Sequence, residues 1–221
     1  FFAGLSIVSI LSFVDDVHSL SPRLRLSLQF VGILLLLCQL IWSTCNGLCP
    51  DSAHIFYILF FVIAGLIVCT GAMNIFNFMD GINGITGGYS LIVLAAILYT
   101  LNCHTMQAGD SLAHWVSSLV TITLLADVVF CFFNFRSRAK CFAGDVGSVS
   151  IAFIILFSLG FIIVQTHDLS LLSFLVVYGV DGCLTIIHRL MLHEKISLPH
   201  RKHLFQIMAN ELHIPHVAVS L

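Results

Sequence analysis

The sequence predicts an all-α, polytopic membrane helix bundle, and three observations carry that prediction. The 221 residues are 59% hydrophobic and only 9% charged, with a mean hydropathy of +1.05, a balance outside the range of water-soluble domains. Long apolar runs recur between short polar, turn-rich segments, on the scale of the ~20 residues that cross a bilayer. All nine lysines and arginines (Arg23, Arg25, Arg136, Arg138, Lys140, Arg189, Lys195, Arg201 and Lys202) fall at alternate connections, whereas those around 43–53, 102–111 and 166–168 carry none. That is the positive-inside pattern, which puts the basic connections in the cytoplasm.

The elements follow in order. FFAGLSIVSILSFV, residues 1–14, reads as the tail of a span that begins further upstream. A second span near 26–42 follows Ser21-Pro22, a turn or helix start. Spans near 54–75, 87–101, 113–133, 148–165 and 169–190 complete about seven. STCNGLCPDSA, NCHTMQAGDS and THD connect them outside; MDGINGITGG and NFRSRAKCFAGDVGS connect them inside. Residues 191–216 form a cytoplasmic loop with five histidines. The whole of 1–221 reads as one integral membrane domain, truncated at both ends. Of eight cysteines, Cys38, Cys69, Cys131 and Cys183 lie inside apolar runs, where they act as small hydrophobes. Cys45 and Cys49, in the first outer connection, are the pair placed to meet an oxidising compartment.

Four polar segments then fall on the basic side. Asp15 and Asp16 close the first run, and ionisable groups at membrane depth point to function by default. Arg23 and Arg25 follow, available to a phosphate. In NIFNFMDGING, Asn74, Asn77, Asp80 and Asn83 recur every three residues, which keeps them roughly on one helical face. The bland alternative there is a polar helix-packing seam ending in a glycine-rich turn. In FAGDVGS, Asp145 stands between Gly144 and Gly147 at the start of a span, where a carboxylate can hold Mg²⁺ against a diphosphate or simply cap the helix. PHRKH places His200 and His203 three residues apart on an expected short helix, with Arg201 between them and Arg136 in the preceding inner loop. Asp127 reads as structural, and Asp181, eight residues before Arg189, as a partner inside the bundle.

These segments, in this order and on one face, resemble the polyprenyl-phosphate N-acetylhexosamine-1-phosphate transferases of glycosyltransferase family 4. The resemblance runs from Asp15 to about Leu204. It implies that Asp15 and Asp16 are catalytic, near the metal and the lipid phosphate, and that Asp145, Asp80 and Asn77 hold Mg²⁺, with Mn²⁺ as the alternative. Asn74, Asn83, Arg23, Arg136, His200, Arg201 and His203 are then expected to bind substrate. Asn83 departs from the pattern, because several members carry a second aspartate there. PHRKH matches the glycan-initiating GlcNAc-1-phosphate transferases better than the three-histidine run of the phospho-MurNAc-pentapeptide enzyme. The family's usual ten or so spans would make this chain the third to the ninth. The implied partners are polyprenyl (undecaprenyl) phosphate, a UDP-N-acetylhexosamine and the bilayer of a bacterial inner membrane, with the active site on the cytoplasmic face. A homodimer is an open assembly, and nucleic acid is not expected.

Readings of other classes fit less well. A secondary transporter places its binding site near the membrane midplane, whereas these carboxylates lie at span ends. A membrane aromatic prenyltransferase would show two Asp-rich motifs with aspartates three or four residues apart. A scaffold has no need of four polar motifs on one side.

Overall fold

The computed structural model describes residues 1–45, 52–105, 111–194 and 203–220. Among them there is no strand, and the helices are α1 (Phe2–Val17), α2 (Pro22–Cys45), α3 (Ser52–Met79), α4 (Ile85–Thr100), α5 (Ser111–Asn134), α6 (Gly144–Thr166), α7 (Val176–Met191), α8 (Leu204–Asn210) and α9 (His216–Val219). A π turn over Leu101–Thr105 extends α4, and a 3₁₀ segment over Leu169–Leu175 leads into α7. Six stretches, 22–43, 58–79, 85–103, 111–134, 144–166 and 169–191, are long and apolar enough to cross a membrane, and α1 adds the shorter run at the N-terminal end. The protein is an all-α, multi-pass membrane bundle.

The helices overrun the apolar runs at the ends that carry the motifs. Pro22 starts α2 where its missing N–H costs nothing, with Ser21 Oγ accepting from Leu24 N at 3.4 Å. α3 continues through NIFNFM, so Asn74 and Asn77 are helical and Asp80 is the first residue beyond it. α6 begins at Gly144, which puts Asp145 in its first turn.

α6 is the centre of the bundle, packing against α1, α2, α3, α4 and α5. Its buried face includes Ser148, Val149, Ala152, Phe153, Leu156, Phe157 and Leu159. Close approach is possible where side chains are small: a Cβ at Gly160 would stand 2.7 Å from Leu40 Cδ1. At the end away from the motifs, Phe1, Trp115 and Phe157 form an aromatic knot with ring centres 4.5–5.8 Å apart. α7 buries Tyr178, Gly182, Thr185 and Arg189, an i, i+4, i+7, i+11 stripe that faces α3. Tyr178 stacks on Tyr89 at 3.8 Å and donates its hydroxyl to the Ile85 carbonyl at 3.0 Å, which anchors α7 to the start of α4.

Candidate active site

The end of α1, the start of α2, the end of α3 and the start of α6 converge, and the acidic motifs meet there. Asp16 accepts from the backbone N–H groups of Asp145 (3.2 Å) and Val146 (3.3 Å). A carboxylate is favoured at a helix N-terminus, where those amides have no partner within the helix. Gly144 makes the approach possible: its φ is +61°, and a Cβ there would stand 3.0 Å from Asp16 Oδ2.

Asp15 points to the other flank. It accepts from Leu20 N at 2.7 Å and from Arg25 Nη1 at 2.9 Å. Burial works against its charge, but the Leu20 amide and the Arg25 guanidinium outweigh it and hold the carboxyl below the usual range. The same Nη1 lies 3.6 Å from Asp145 Oδ2, so Arg25 bridges the two motifs. Asn77 donates Nδ2–H to Asp145 Oδ1 at 2.7 Å and to Ser148 Oγ at 3.2 Å. It therefore orients Asp145 from across the bundle. Asp80 stands just past Asn77; burial first, then the charges of Asp145 and Asp16, push its carboxyl upward.

Among the described residues, no three His, Cys, Asp or Glu side chains stand close enough to enclose a cation as they are placed. The chemistry of the donor set nevertheless fits a hard divalent ion. Its members are oxygen ligands from separate elements, and the charges of Asp145 and Asp16 oppose the ionisation of Asp80, the condition that a bound cation relieves.

Several residues expected to contact substrate have partners within the bundle. Asn74 donates to Gln29 Oε1 (3.1 Å) and to the Thr70 carbonyl (2.8 Å), which makes it the helix-packing seam between α3 and α2. Asn83 donates to the Arg136 carbonyl at 3.0 Å, and its own carbonyl accepts from Ser220 Oγ at 2.9 Å. The Arg136 guanidinium folds back over α5, with Nε 2.7 Å from the Phe132 carbonyl and Cζ 4.6 Å from the Phe132 ring centre. Arg23 is exposed, and Arg25, two residues on, occupies the cluster in its place. His200 and Arg201, like Cys49 of the expected outer cysteine pair, lie outside the described residues. His203 stands immediately before α8, not within it, because it forms the N-terminal cap with Gln206. Its Nδ1 is 2.7 Å from Asp181 Oδ2, and Leu204 N donates to Asp181 Oδ1 at 2.9 Å. Asp181 is thus a bundle partner as expected, but of the last loop. Phe205 follows against the Asp80-Gly81 turn, where a Cβ at Gly81 would stand 2.9 Å from its ring. Asp127, read from the sequence as structural, is 4% exposed, and its Oδ2 has no hydrogen-bond partner among the described residues.

Two positioning residues had no place in the sequence reading. Asn134 accepts from Gly84 N at 2.7 Å and donates to the Cys141 carbonyl at 2.8 Å, tying the Asp80 loop to the loop that leads into Asp145. Ser148, buried, receives Asn77; its only signal was its place in GDVGS.

Residues 1–166 match the model of glycosyl transferase family 4. A Bacillus subtilis (strain 168) protein named "probable undecaprenyl-phosphate N-acetylglucosaminyl 1-phosphate transferase" is 26% identical over 212 residues, 91% of this chain and 55% of the relative. The Escherichia coli (strain K12) undecaprenyl-phosphate alpha-N-acetylglucosaminyl 1-phosphate transferase is 29% identical over 147 residues, 66% of this chain and 39% of its own length. A phospho-N-acetylmuramoyl-pentapeptide-transferase of Saccharopolyspora erythraea is 27% identical over 175 residues, 65% and 48% respectively. The chain spans about half the length of the curated relatives it matches. The matched stretch contains Asp15, Asp16, Asp80 and Asp145, every carboxylate of the cluster, and the chain belongs to glycosyl transferase family 4.

Proposed function

We propose that the full-length protein transfers an N-acetylhexosamine-1-phosphate, of GlcNAc type, from a UDP-sugar to a polyprenyl phosphate such as undecaprenyl phosphate at the cytoplasmic face of a bacterial inner membrane. The observation that carries this reading is the meeting of Asp16, Asp145, Asn77 and the Asp15–Arg25 pair at one end of a spanning bundle. An acceptor with its tail in lipid and a water-soluble donor need a site at that depth. The names of the B. subtilis and E. coli relatives support the GlcNAc-type donor. The reaction starts lipid-linked glycan assembly.

In this reaction an oxygen of the lipid phosphate bonds to the β-phosphorus of the donor. The bond from that phosphorus to the α,β-bridging oxygen breaks, and UMP leaves with the bridging oxygen. Catalysis of such a step is mainly positioning and charge neutralisation. Mg²⁺, held by Asp145, Asp80 and Asp16, would supply most of the neutralisation when bound. Asn77 fixes the Asp145 carboxylate from behind. Arg25 presents a guanidinium suited to phosphate oxygens. Asp15, kept ionised by Leu20 N–H and Arg25, holds that guanidinium in place and is a weak base for a phosphate proton.

The experiment is UMP release by the full-length protein in liposomes. Release from UDP-GlcNAc that requires both undecaprenyl phosphate and a divalent cation is the expected result; release without the lipid acceptor would sink the proposal. Competition among UDP-GlcNAc, UDP-GalNAc and UDP-MurNAc-pentapeptide decides the donor, and turnover of the pentapeptide substrate alone would overturn the GlcNAc assignment.

A further inference from the structure

A second polar site opens on the flank of the bundle, walled by α4, α5 and α6. It is a pocket of about 340 Å³ whose lining includes Thr86, Asp127, Phe130, Phe142, Gly147 and Ser150. Asp127 lies in the spanning part of α5, seven residues before its end at Asn134, or ~10 Å along the axis. Its side chain is 4% exposed, and its Oδ2, buried in the wall of the pocket, has no hydrogen-bond partner among the described residues. No ion pair engages it among the described residues either. A buried carboxyl oxygen left without a donor is costly, and two of the wall hydroxyls are engaged elsewhere: Ser150 Oγ with Ser9 Oγ at 2.8 Å, and Thr123 Oγ1 with the Leu119 carbonyl at 2.8 Å. Thr86 Oγ1, buried in the same lining, likewise has no hydrogen-bond partner among the described residues.

The surroundings indicate what would satisfy it. Ile122, Leu125, Val129 and Phe132 on the same helix are exposed apolar residues, so the flank beside the mouth is a lipid-facing surface. Phe142, 75% exposed, forms the rim. Arg138 and Lys140, both exposed, precede it by four and two residues. Lys140 N donates to the Phe133 carbonyl at 3.0 Å, which folds this basic stretch against the end of α5. An unmet carboxylate inside, and exposed cations on the connection that leads to Phe142, complement a zwitterion whose ammonium enters and whose phosphate stays outside. The geometry points to a lateral site for the primary-ammonium headgroup of a membrane phospholipid, of the phosphatidylethanolamine class, with Asp127 Oδ2 as the acceptor of its N–H groups. Its lining includes none of Asp15, Asp16, Arg25, Asp80 and Asp145, and the proposal stands independently of the transfer reaction.

The test places full-length protein in nanodiscs of equal phosphatidylethanolamine and phosphatidylcholine with matched acyl chains, then reads retained lipid by native mass spectrometry. A quaternary ammonium has no N–H to donate, so the ethanolamine lipid should be retained in preference. Asp127→Asn, equal in size but uncharged, should cut that preference about tenfold, the scale of one hydrogen bond to a charged group. Asp127→Leu removes an unpartnered carboxyl without leaving a buried charge and should abolish the preference. Equal retention of both lipids by the unaltered protein, or a preference that survives Asp127→Asn, overturns the proposal. So does a thermal shift with free ethanolamine in phosphatidylcholine discs without any lipid preference, which would make the ligand a soluble amine.

Discussion

At the scale of residues, the cluster separates groups that carry charge from groups that aim it. Asp145→Asn preserves shape and removes charge; in the full-length protein it should lower kcat by about a hundredfold or more, the scale of losing one group that stabilises developing charge. Near-normal turnover in saturating Mg²⁺ would make Asp145 a helix cap. Arg25→Gln should cost a similar factor in kcat/KM, whereas Arg23→Gln, exposed and outside the cluster, should cost little; parallel steady-state assays decide the pair. Asp80 adds a pH dependence. Its carboxyl is raised by burial and by Asp145 and Asp16, so without metal its contribution to stability is present at low pH and lost as pH rises through its folded value. A divalent ion reverses that balance, and protons must compete with it. Mn²⁺ affinity, followed by electron paramagnetic resonance, should weaken as pH falls from about 7 to 5, and Asp80→Asn should flatten that dependence. The aspartates were legible in the sequence because few residue types tolerate membrane depth without a purpose. Asn134 and Ser148 were not, nor was the choice of Arg25 over Arg23, because a single sequence does not say which of two nearby arginines turns inward or which amide at a span end closes a loop.

At the scale of elements, the loops are set by backbone conformations that few residues adopt. Gly84 has φ +90°, and a Cβ there would overlap the Phe135 ring. Its N–H is the donor to Asn134 that joins the two motif loops. Gly84→Ala should destabilise the protein by about 2 kcal/mol from backbone strain alone, read as a lower midpoint of thermal unfolding in detergent. Adding Phe135→Ala should recover only the part due to the clash; full recovery would mean that the strain is negligible. Span order and number were legible, since apolar length and turn residues mark them directly. Their ends were less so: α3 runs four residues past the expected 75 and α6 starts four before 148. The polar motif residues there find partners across the bundle, Asn77 with Asp145 and Asp16 with the α6 amides, and a helix whose polar groups are met internally need not stop where hydropathy falls. The 3₁₀ entry to α7 had no signal in the apolar pattern, because both helix types present the same run to lipid.

At the scale of the whole molecule, orientation decides whether the site can meet a cytosolic donor. The ends of α1, α3, α5 and α7 and the starts of α2, α4 and α6 gather Asp15, Asp80, Asn134, Asp145, Arg25 and Arg189 at one end of the bundle. The Phe1–Trp115–Phe157 knot lies at the other, in keeping with aromatic enrichment at a membrane boundary. All nine lysines and arginines belong to the first end by sequence, and that bias sets topology more strongly than net charge. Ser137, in the loop after α5, and Ser170, beside the cap of the 3₁₀ segment, are exposed and stand at opposite ends. On a background with all eight native cysteines replaced, Ser170→Cys should react with an impermeant maleimide added to intact cells. Ser137→Cys should react only after the membrane is opened. The reverse pattern would place Asp16, Asp145 and Arg25 outside, out of reach of any nucleotide sugar made in the cytosol, and the transferase reading would fall with the orientation.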